Sequence, residues 1–176
     1  MEMQKHSIGG IMLHSQLIDY FNFLSLNGYA EIHVENFKAE NSRNLDISRY
    51  YIRNYHKLIP LFAVENTNLI PSSWFNYNTE IVDMNTRKAG IKSAFEKWVA
   101  WEKKTNDVMT KAYNELVEIE ELNAASYVLD IIRDVNEELA FAEQTLIRLN
   151  AINYDMVSIF EEQEHIAKKY RKKVLP

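Results

Sequence analysis

Apolar residues return at three- and four-residue steps along most of this chain, and the places where that period breaks divide it into helical segments. From Ile8 to Leu26 the repeat passes through Ile11, Leu17, Ile18, Phe21 and Leu24, one buried face of a first helix. Asn27-Gly28 is its expected close, with Gly28 suited to a left-handed cap. A second helix is predicted from about Ala30 to Leu61 on the row Val34, Phe37, Leu45, Ile52, Tyr55 and Ile59, ended by Pro60.

Residues 62–86 keep neither a helical nor a strand period and read as a long connection. Asp83 or Asn85 is the expected cap of a third helix. Its stripe is Ile91, Phe95, Trp98, Glu102, Thr105, Met109, Ala112, Leu116 and Ile119, alternating steps of four and three as a bundle seam does. A break near Glu121 to Asn123 lets Asn123 cap a fourth helix, with Val128, Ile132, Val135, Leu139, Ala142, Leu146 and Leu149 on its inner face. So short a turn makes these two helices antiparallel neighbours. A last amphipathic helix runs from about Tyr154 to Lys172, with Met156, Ile159, Phe160 and Ile166 on its apolar side.

The expected fold is therefore all-α: one domain over residues 1–176, four long helices with a long crossover between the second and third, and a short fifth helix. Composition agrees, with 47% hydrophobic residues but only 4 glycines and 3 prolines. Without cysteine there is no disulfide framework, thiolate metal site or cysteine nucleophile. No window reaches the roughly 18 apolar residues of a membrane span, and the first residues lack a secretory pattern, so a cytoplasmic protein without a membrane partner is expected. A net charge of −5 argues against a general nucleic-acid binder. The run Lys168, Lys169, Arg171, Lys172 and Lys173 reads as a solvated helix end, and the tryptophans and tyrosines as core and subunit interface of a homo-oligomer.

The informative residues are the polar ones that interrupt apolar faces, because a buried carboxylate is costly unless paired, protonated or metal-bound. There is one in each main helix: His14, Glu40, Glu102 and Glu138. With a turn at Gly28, His14 and Glu40 stand within about 3 Å of one level, at 1.5 Å of rise per residue. Residue 120 lies midway between Glu102 and Glu138, so these can also share a level. Three carboxylates and an imidazole form a shell that suits iron or manganese. They equally form a salt-bridge network with Arg43, Arg53 or Lys57, and the residues alone leave both readings open.

Over residues 94–149, AFEKWVAWEKKTNDVMTKAYNEL and ASYVLDIIRDVNEELAFAEQTLIRL resemble the third and fourth helices of the ferritin-like superfamily. RYYIRNYHKLIP, WEKKT and EEQEHIAKKY look like small ferritin-like proteins of bacteria and their phages. The resemblance implies a ferritin-like bundle binding iron or manganese, with possible ferrous iron oxidation or storage. Glu40 falls on the family's bridging glutamate, Glu102 and Glu138 on its third- and fourth-helix ligands, and His14 stands at a suitable level for the first. Arg43 and Val135 favour the alternative, a non-catalytic assembly or interaction module without the metal site. Arg43 stands where the family has His, Val135 where it has Gln, and the Glu-x-x-His spacing occurs only at Glu162 to His165, on the last helix.

Overall fold

The computed structural model describes residues 2–56 and 84–174, with side chains for 2–56 and 85–168. Among the described residues the regular elements are all helices: α1 (Glu2–Phe23), α2 (Asn27–Tyr55), α3 (Met84–Glu118), α4 (Leu122–Ala151) and α5 (Met156–Val174). The chain packs into two compact units. The first holds α1, α2, α5 and the opening turns of α3 as far as Gly90, and the second runs from Ile91 to Tyr154. None of the described helices is long and apolar enough to cross a membrane.

Three tight turns share one construction. After α1, Ser25 takes φ 60° while its N–H bonds to the Asn22 carbonyl and the Leu26 N–H to that of Phe21. This is a Schellman closure, which satisfies carbonyls the helix end would otherwise leave orphaned. Glu120 (φ 61°) and Asn153 (φ 50°) do the same after α3 and α4. None of these left-handed positions is a glycine, which corrects the expectation placed on Gly28.

Gly28 instead lies in the first turn of α2, where α5 presses on it. A Cβ there would stand 2.5 Å from the Gln163 backbone oxygen. The Gln163 side-chain oxygen accepts a hydrogen bond from the Gly28 N–H (3.1 Å), satisfying one donor that the helix start leaves open. Gln163 is itself buried, whereas Phe160, expected on the inner side of α5, is 43% exposed.

Other boundaries also move. Residues 84–86 are helical rather than part of the connection, Asn85 lies inside α3, and Asn123 lies inside α4, where no side chain caps the start. The expected course of the chain over residues 57–83, including Ile59, Pro60, Asp83 and most of the connection, falls outside the described residues.

In the second unit α3 and α4 pack antiparallel. Trp98 meets Phe141 at 6.3 Å between ring centroids, Lys103 pairs with Glu143 at 2.8 Å, and Asn106 hydrogen-bonds Asn136. Ile91, Phe95, Trp98, Met109, Val135 and Leu149 form its apolar interior, as their helical spacing predicts.

In the first unit α1 buries Leu13, Leu17 and Phe21 as expected. Helix α2 departs from expectation. Leu45, Ile52 and Tyr55 of its predicted apolar row are exposed, and much of its buried face is polar.

Candidate functional site

That buried face carries His33, Asn36, Glu40 and Arg43, at steps of three, four and three along one side of α2. Helix α1 opposes it with Ser7, Gly10 and His14, also at three and four and also buried. Together they make a polar ladder inside the α1–α2 hairpin.

Its register follows from the turn. Ser7 meets Glu40 and His14 meets His33, and both pairs have the same midpoint, between Phe23 and Leu24. Placing the turn at Gly28 had set His14 opposite Glu40. The actual turn is about four residues earlier, which moves the partner on α2 by seven residues, two helical turns or about 10 Å. His14 therefore faces His33, and Glu40 has other partners.

Glu40 is held from both of its oxygens. Ser7 Oγ donates to Oε2 at 2.6 Å, a short charge-assisted bond. Arg43 Nη1 stands 2.9 Å from Oε1, an ion pair rather than an aligned hydrogen bond, with both residues buried. Gly10 makes room for the carboxyl group, since a Cβ there would come within 2.7 Å of Glu40 Cδ. Charge, proton donor and space are all supplied from within the hairpin.

The two imidazoles meet through Nδ1 atoms 3.1 Å apart. At that distance one Nδ1 carries the proton and the other accepts it, so the rings take opposite tautomers. The His33 ring lies between Phe21, 5.4 Å away and 6° from parallel, and His14, 5.3 Å away. Burial pushes the His14 pKa down to about 3, helped by the charge of Arg43. Burial, then His14 itself, lowers His33 well below its usual range. Both rings are neutral at neutral pH.

The other two residues singled out from sequence belong to the second unit. Glu102 is 1% exposed, with its Oε1 accepting from Trp98 Nε1 at 3.1 Å, and Glu138 is 7% exposed. The turn at Ile119 and Glu120 lies midway between them, as their spacing predicts. Trp98 and Trp101 are buried, while His165 is exposed and Glu162 half-buried.

A metal centre asks for convergent donors with free lone pairs. The first unit does not fit this demand: the Glu40 oxygens are engaged by Ser7 and Arg43, and the Nδ1 atoms of His14 and His33 face one another. Within each unit, the described residues include no group of three His, Asp or Glu side chains placed to hold a metal ion.

Sequence reading missed Ser7, Gly10, His33 and Asn36. The available signal was the four-member polar row on α2, which runs at helical spacing beside a different apolar row. No protein-family model matches the chain, and no curated protein matches it.

Proposed function

We propose that this chain is a ferritin-like helical bundle, with the long crossover between α2 and α3, that works as a non-catalytic assembly or interaction module. The observation that carries the reading is the Glu40–Arg43 ion pair, 2.9 Å long and buried. Glu40 is the position at which the resemblance calls for a metal-bridging carboxylate. Here an arginine one helical turn away supplies the counter-charge, and Ser7 the proton donor. A buried acid balanced in this way is a structural group, and a second cation beside Arg43 would meet repulsion. The neutral His14–His33 pair fits the same account, because its two Nδ1 atoms satisfy each other.

The test is anaerobic titration of the full chain with ferrous iron and with manganese, read by metal analysis after desalting and by thermal melts. The expected result is no retained metal and an unchanged melting temperature. Retention of about two metals per chain with a raised melting temperature would overturn the proposal. It would restore the reading of iron or manganese binding.

A further inference from the structure

The three Schellman turns differ at one position. In each, the residue after the left-handed one sends its N–H back to the helix: Leu26 to Phe21, Tyr154 to Leu149 and Glu121 to Leu116. That residue ordinarily packs back on the helix it closes. Leu26 and Tyr154 are apolar and buried accordingly. At the α3–α4 tip it is Glu121, and the neighbouring apolar side chains stand outward, Ile119 and Leu122 about two-thirds exposed (65% and 66%) with Val117 at 41%.

Acids surround these apolar residues. Glu115, Glu118, Glu120 and Glu121 all lie within the same stretch, and Glu120 stands in a left-handed conformation that glycine would adopt at less cost. An open groove along α3, lined by Asp107, Thr110, Lys111, Asn114, Glu115 and Glu118, shares two of these acids. Lys111 pairs with Glu115 at 3.9 Å, but the acids outnumber it, and exposed apolar side chains with a mainly acidic rim select a partner that is apolar and basic.

The chain has one dense run of that kind. Lys168, Lys169, Arg171, Lys172 and Lys173 fall together in the last turns of α5, interleaved with Tyr170 and Val174. Five cations in six positions are an unusual concentration in a chain of net charge −5. We infer that the α3–α4 tip of one copy docks the basic end of α5 of a second copy. The inference rests on the interaction-module reading and names its partner.

Sedimentation velocity of the full chain over a concentration series, at low and at high salt, tests it. Wild type is expected to self-associate reversibly at low salt and to weaken as salt rises. The variant Glu118→Lys/Glu120→Lys/Glu121→Lys should weaken association at least about tenfold. Adding Lys168→Glu, Lys172→Glu and Lys173→Glu to that chain, which exchanges the charges of the two surfaces, should restore it. Ile119→Ser/Leu122→Ser should weaken association without changing its salt dependence. Circular dichroism and thermal melts of each variant check that the fold is intact, and the charge-exchanged chain serves as the decisive arm if the tip variant is unstable. A wild type that stays monomeric throughout overturns the inference. So does an association that tip reversal leaves unchanged, although the interaction-module reading would then stand on another surface. Stoichiometric iron binding, measured separately, would sink that parent reading without touching the association.

Discussion

His14 and His33 face each other across the α1–α2 hairpin through Nδ1 atoms 3.1 Å apart, both within the packed interior and with Arg43 close enough to bias His14. One proton holds the pair together. A second would place a positive charge beside a guanidinium with little water to screen it.

Acid should therefore loosen the protein in a defined window. The folded-state pKa of His14 is lowered from 6.5 to about 3, and that of His33 is lowered as well. A lowered folded pKa means that the unfolded chain binds more protons, so stability is full above about pH 6.5 and is lost as pH falls towards 3. Each group contributes a slope of about 1.4 kcal/mol per pH unit inside that window. Urea melts from neutral pH down to mildly acidic pH should show this loss. His14→Asn, which keeps a hydrogen-bonding group for His33 but does not titrate, should reduce the slope by about one proton. Stability that stays flat between pH 7 and 5 would contradict the account.

The Glu40–Arg43 pair should prove asymmetric under mutation. Arg43→Met leaves Glu40 as a buried carboxylate held by Ser7 alone and is expected to cost about 3–5 kcal/mol. Removing both charges with Glu40→Leu/Arg43→Met should cost less than the two single changes added together, because the second change removes what the first stranded. Equilibrium unfolding of the two single variants and the double variant closes the cycle. Additive losses would mean that the pair carries no coupling.

Two glycines should respond to alanine for different reasons. At Gly10 the new methyl group meets the end of the Glu40 side chain, and a loss of about 1–3 kcal/mol is expected from overpacking. Glu40→Ala should relieve that particular strain, so Gly10→Ala should cost much less in its background. At Gly28 the methyl group meets the Gln163 backbone, which cannot move without α5. Gly28→Ala should therefore displace that helix, seen as faster hydrogen exchange confined mainly to residues 156–174. Protection of α5 equal to wild type would show that its docking does not depend on the close approach.

Residues Ile91 through Met109 illustrate what periodicity can reveal. Their four-and-three stripe is apolar apart from Glu102 and Thr105, and burial follows it position by position. Helical class, the antiparallel α3–α4 pairing and the burial of Glu102 and Glu138 follow from that pattern, because an apolar face has to be removed from water whatever it packs against. Burial of His14 and Glu40 is a weaker signal in sequence, since polar groups enter the interior only with partners, and two of those partners, His33 for His14 and Ser7 for Glu40, lie on the opposite helix.

Turn chemistry decided the rest of the first unit. Glycine is the cheapest left-handed residue, so Asn27-Gly28 was the natural place to end α1. The protein instead closes α1 at Ser25 and keeps Gly28 for the approach of α5, a requirement set by a residue far along the chain. A shift of about four residues at one turn changes the opposite partner by two helical turns, exchanging a His14–Glu40 pair for His14–His33 and Ser7–Glu40. Sequence by itself determined which segments are helical and which of their faces are apolar, because both are local properties of propensity and spacing. Register across the hairpin depends on where the chain reverses, and that is set by contacts between helices that no local pattern encodes.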